Sequence, residues 1–128
     1  MDNAITEPFK VCVSPDGVYV KVYALQHAIT LDLAVSFTKQ FTKLGAEHNL
    51  KRCLIDIRGN TSKSGISGKY EYAYDKAVSA GLTRDWKTAL LKDANDISPD
   101  FIETVMNNSG HTFKIFDDDQ EALGWLSA

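Results

Sequence analysis

The chain has 128 residues, 44% hydrophobic and 24% charged, with 14 Lys and Arg against 17 Asp and Glu for a formal net charge of -3. These are globular proportions, which exclude a collagenous repeat, a coiled coil and a disordered tail. No run approaches the ~20 apolar residues of a bilayer-spanning helix, Met1-Asp2-Asn3-Ala4 opens no basic-then-apolar leader, and the acidic balance disfavours nucleic acid, whose binding rests on Lys and Arg displacing counterions. One cytoplasmic domain over 1–128, with no integral membrane segment, is the expectation.

Phe9 to Val13 reads as a strand, and Val18 to Ala24 alternates Val18, Val20, Val22 and Ala24 with Tyr19, Lys21 and Tyr23, the period of a half-buried strand. Ser14-Pro15-Asp16-Gly17 between them supplies turn chemistry, so the opening is an antiparallel hairpin. From Thr30 the period changes. Ala34, Phe37, Phe41 and Leu44 recur at steps of three and four, Thr30 is placed to cap, and Gly45 lies near the stop. Leu50 to Ile57 follows as a strand, with Cys53, Ile55 and Ile57 on one face and Leu54 on the other. The loop over 58–68 is rich in Gly, Ser, Thr and Asn, the composition of a flexible connection.

Tyr70 to Ala80 is predicted as a helix with Tyr70, Tyr74, Ala77 and Val78 inward and Gly81 as its terminator. Two residues turn a helix by about 200°, so Tyr72 cannot share a face with Tyr70 and Tyr74, and at least one aromatic must be exposed. Trp86 to Lys92 is a nearly continuous apolar run, as in a strand covered on both faces. Ser98-Pro99-Asp100 signals a helix start with Ser98 as the cap, and Asn108-Ser109-Gly110 a stop. Thr112 to Phe116 is a last strand, and Asp117 with Gln120 forms a capping box for a closing helix bearing Ala122, Leu123, Trp125 and Leu126. Strands alternating with helices imply an α/β domain, a single mixed, mainly parallel sheet with an N-terminal antiparallel hairpin and four helices.

The strand and loop Leu54-Ile55-Asp56-Ile57-Arg58-Gly59, the segment Phe101-Ile102-Glu103-Thr104-Val105 followed by Gly110, and the ending Ile115-Phe116-Asp117-Asp118 with Glu121-Ala122-Leu123 and Trp125-Leu126 resemble the SpoIIAA-like proteins, bacterial relatives of the STAS domain of sulfate transporters and anti-sigma-factor antagonists. The resemblance covers nearly the whole chain. It implies a mixed sheet packed against helices, a regulatory or interaction role, and no cofactor. In the antagonist branch a Ser at the start of the helix after this strand is phosphorylated within Asp-Ser-Ser-Gly. The loop here offers Ser64-Gly65 and Ser67-Gly68 without the preceding Asp-Ser. SEC14-related members imply an apolar ligand instead.

Ligands of open α/β sheets bind beyond the carboxyl ends of the strands, which here gathers Asp56, Arg58, the 59–68 loop, Lys92, Asp93, Asn95, Asp117 and Asp118. A P-loop ending at Gly68-Lys69 would need Gly at 63 and a hydroxyl at 70, but Lys63 and Tyr70 stand there. Gly65-Ile66-Ser67-Gly68-Lys69 lacks the closing glycine of a nucleophile elbow. Cys12 and Cys53 read as buried strand thiols, and His27, His48 and His111 have no metal-ligand spacing. The expectation is therefore a non-enzymatic module that binds a protein partner, with a small apolar ligand as the alternative. Its candidate surface is Arg58, Ser64, Ser67, Tyr70, Tyr72, Tyr74 and Trp86, with Ser64 and Ser67 as candidate phosphorylation sites and no metal or catalytic residue assigned.

Overall fold

The hairpin forms as its turn residues dictate. Gly17 takes φ +74°, the Ser14 hydroxyl donates to Asp16 at 2.6 Å, and strands β1 (Phe9–Val13) and β2 (Val20–Ala24) pair antiparallel. In this computed structural model residues 8–25 and 28–128 are described; segment 1–7 and His27 lie outside them. A short strand β3 (Ala28–Ile29) leads into α1 (Leu31–His48), capped by Thr30, whose hydroxyl accepts from the Leu33 N–H at 3.1 Å. Then come β4 (Arg52–Asp56), a second short strand β5 (Thr61–Ser62), and α2, a continuous helix over 65–79. Strand β6 (Lys87–Leu91), helix α3 (Asp100–Asn108), strand β7 (Thr112–Phe116) and helix α4 (Asp119–Ser127) complete the order.

The main sheet runs β1-β2-β4-β6-β7, parallel throughout except for the β1-β2 hairpin. Helices α1, α2 and α3 pack on one face over Val22, Cys53, Ile55, Leu90 and Phe113. Helix α4 covers the other face, burying Leu54, Ala89 and Leu91 beneath Ala122 and Leu126. A mixed α/β fold with four helices and a mainly parallel sheet is thus observed.

Four local expectations are corrected. Gly45 does not stop α1. It lies buried inside the helix, which ends at Asn49 in the left-handed conformation (φ 57°). A Cβ on Gly45 would lie 2.8 Å from Trp86 Cζ2 and 2.7 Å from the Leu50 carbonyl oxygen, so glycine is there for space. Ser98 does not cap α3; its hydroxyl accepts the Ser62 N–H at 2.8 Å, tying the 59–64 loop to the start of that helix. The cap of α4 is Asp118 rather than Asp117, accepting from Gln120 N at 2.8 Å and Glu121 N at 3.2 Å. Finally, β3 and β5 pair in parallel as a separate two-stranded ladder, Ala28 with Thr61 and Ile29 with Ser62.

Candidate functional site

At the carboxyl end of β4, Asp56 is nearly buried and holds Arg58 through both oxygens, Nε to Oδ1 at 3.0 Å and Nη2 to Oδ2 at 2.7 Å, and also accepts the Arg58 backbone N–H. This paired geometry raises the Arg58 pKa above its ordinary value and commits the guanidinium to the loop's own architecture. The loop is fastened further. Gly59 N–H donates to Asp93 at 2.7 Å, the Asn60 amide to the Ala24 carbonyl at 3.1 Å, and Lys63 N–H to the Ile29 carbonyl at 2.8 Å. The flexible connection expected from composition is therefore a strapped segment, because its polar groups find partners in β2, β3 and the loop after β6.

The strap roofs a cavity of about 70 Å³. Ile55, Leu90 and Phe113 of the sheet form its floor; Ala34 and Phe37 of α1, Tyr72 of α2 and Ile102 of α3 form its walls. Ile29, Ser62 and Ser64 border it on the side of the strap. The wall is almost wholly carbon, with one exception. Lys69 of α2 is only 5% exposed, and its Nζ donates to Ser62 Oγ at 3.1 Å and Ser64 Oγ at 3.2 Å. Among the described residues no carboxylate pairs with it. Removing an ammonium from water disfavours its charged form, and burial lowers the Lys69 pKa from its ordinary value. Local sequence sets this up. Gly65 at φ +67° turns the chain into α2 directly after Ser64, and at Gly68 a Cβ would press on the Ser64 side chain at 3.0 Å.

Helix α2 also rearranges the aromatics. Across Tyr72–Lys76 the helix widens, the Ala77 N–H bonding back to the Tyr72 carbonyl rather than to residue 73. Such i→i+5 turns shift the inward face. Tyr72 points inward at 7% exposure, its hydroxyl 2.7 Å from the Thr38 hydroxyl, and burial pushes its pKa up. Because Thr38 gives its proton to the Ala34 carbonyl at 2.7 Å, the tyrosine donates. Tyr70 and Tyr74, expected inside, are 48% and 52% exposed; they stack with centroids 6.1 Å apart, and Tyr70 meets Phe101 of α3 edge-on at 5.6 Å. Val78, also expected inside, is exposed, whereas Ala73, Ala77 and Ala80 are buried.

Trp86 must leave the candidate surface. It is 3% exposed, precedes β6 at the amino end of the parallel strands, opposite the strap, and packs edge-on against Phe41 at 5.3 Å. Of the other candidates, Ser64 is half-buried beside Lys69 and Ser67 is exposed on the first turn of α2. The structure brings Ser64 and Tyr72 to the cavity, leaves Tyr70 and Tyr74 on the outer face, and keeps Arg58 with Asp56. Lys69 escaped sequence reasoning because lysine ordinarily marks a solvated face. Its distance of four residues from Ala73 and eight from Ala77, both small and apolar, is the signal that could have found it.

Elsewhere Cys53 is buried, with its thiol pKa raised by burial, and Cys12 is half-buried; both are free. Buried His111 is held below its ordinary pKa by burial and by the Arg84 charge. Among the described residues no three His, Cys, Asp or Glu side chains gather as a metal site, and no helix is long and apolar enough to cross a membrane. The chain matches no protein-family model, no curated protein and no solved structure.

Proposed function

We propose that the protein binds a small, largely apolar molecule in the cavity between the sheet and helices α1, α2 and α3. The observation that carries this reading is the cavity itself: a carbon-lined space between the helices and the sheet face at Ile55, Leu90 and Phe113, next to the loop that follows β4, the concave apolar setting in which small-molecule sites are found. Well-packed interiors leave few voids larger than a water molecule, so a space of this size is an exception to the packing around it. The resemblance to STAS and SEC14-related proteins points in the same direction. The test is calorimetric titration with 1-octanol, alongside native mass spectrometry of the freshly purified protein. Saturable 1:1 binding that Ala34→Leu abolishes supports the reading, and heat identical to buffer dilution in both proteins removes it.

A second reading rests on a separate surface. Tyr70, Tyr74 and Phe101, with exposed Ile66, Val78 and Ile97, place aromatic and aliphatic side chains on α2, on α3 and in the loop before α3. Exposed aromatics of this kind serve as anchors in protein interfaces, which favours contact with a protein partner through the outer face of α2. Tyr70→Ala with Tyr74→Ala is the appropriate pair of substitutions for a pull-down comparison, since Tyr72 is internal. An unchanged capture profile would count against this face.

A further inference from the structure

Resting on the cavity-binding reading, we propose that the occupant is a monocarboxylic acid with an alkyl chain: its chain fills the carbon-lined space and its carboxylate is held by Lys69 together with Ser62 and Ser64. Lys69 is a buried cation in an otherwise apolar wall, a placement costly to maintain unless a counter-charge arrives. An ammonium carries three donors, and Ser62 Oγ and Ser64 Oγ accept two of them. A third N–H is left for an incoming oxygen. The two hydroxyls are themselves 3.3 Å apart and can rotate their protons toward the second carboxylate oxygen. One positive charge matches a monoanion; a phosphate dianion would bring a second negative charge that no other cation among the described residues lining the cavity meets. A neutral alcohol of equal chain length would fill the space but leave the ammonium uncompensated.

The experiment titrates octanoate, 1-octanol and octylamine into the wild type, Lys69→Met and Ser62→Ala/Ser64→Ala proteins at pH 7, with thermal melts to verify folding. Octanoate should bind the wild type at least tenfold more tightly than octanol, and octylammonium should not bind. Lys69→Met should lose at least tenfold for octanoate while octanol affinity is unchanged or improved, and the double serine variant should fall between. A measurement on the wild type alone guards against a misfolded variant: octanoate affinity should fall as the pH rises toward 10.5 and the ammonium loses its proton, while octanol affinity stays flat. Equal affinity for octanoate and octanol overturns the carboxylate assignment and leaves the cavity reading standing. Binding of neither overturns both. Turnover of 4-nitrophenyl octanoate that Lys69→Met abolishes also overturns the assignment, because the lysine would then act as a base toward a serine rather than as an anchor.

Discussion

The layer between the sheet and helices α1 and α2 is built in two different ways at its two ends. At the amino end of the parallel strands, Trp86 and Phe41 meet edge-on and the helix opposite is shaved to Gly45 to admit the indole. At the carboxyl end, side chains from every neighbouring element stop short of one another, and the remaining space holds a lysine and two serine hydroxyls. The same sheet and the same helix pair serve both ends, so the open end does not come from a poor backbone match. It follows from how the inward residues meet: Trp86 packs into the space left by Gly45 at one end, whereas at the other Phe37, Tyr72 and Phe113 surround a gap that small Ala34 does not fill and that Lys69 borders with its hydroxyl partners. One end holds the layers together, and the other leaves room for an occupant.

Substitutions should split along that line. Trp86→Ala removes the largest side chain of the closed end and should cost about 4 kcal/mol of unfolding free energy in urea titrations. Gly45→Ala adds one carbon where no space exists and should cost about 3 kcal/mol, near the top of the range for overpacking; a loss under about 0.5 kcal/mol would mean that this end is looser than it looks. Lys69→Met should do the opposite and stabilise the protein by about 1 kcal/mol, since an apolar chain of similar length replaces a buried cation that has no carboxylate partner among the described residues. The pH dependence has a definite sign. The folded-state pKa of Lys69 lies below its ordinary 10.5, so the unfolded chain binds more protons between those two values and stability rises with pH through that window. The advantage of Lys69→Met should therefore shrink as the pH rises toward 10.5. Smallest of all, Ala34→Leu at the open end should change stability by less than about 1 kcal/mol, because the added carbons enter existing space, while removing octanol binding.

Most of the scaffold was legible because its signals are strong and local. The alternation over Val18–Ala24, the turn at Ser14–Gly17 and the three- and four-residue steps of α1 each specify an element, and strand-helix alternation then restricts the sheet to a mainly parallel order. The failures have particular causes. Two-residue strands such as Ala28–Ile29 and Thr61–Ser62 are too short to show any period. Asp117 and Asp118 are adjacent carboxylates that compete for one capping role, decided by backbone geometry, and Ser98 is drawn away from capping α3 because its hydroxyl accepts the Ser62 N–H. The sequence groups Trp86 with Tyr70, Tyr72 and Tyr74 as candidate aromatics, but its position just before β6 carries it to the amino end of the parallel strands. The site suffered most from the widened turn at Tyr72–Lys76, since a 3.6-residue repeat assigns Tyr70 and Tyr74 to the interior, and from the usual exposure of lysine, which masks the spacing of Lys69 from Ala73 and Ala77.

That widened turn ties the two proposed surfaces of α2 to each other. A regular helix advances about 100° per residue, so deleting a single residue within 72–76 would rotate everything upstream by that angle relative to Ala77 and Ala80. Lys69 would swing off the hollow and the stacked tyrosines would swing with it. A one-residue change in the length of this helix between Lys69 and Ala77 is therefore felt at the hollow and at the stacked tyrosines together.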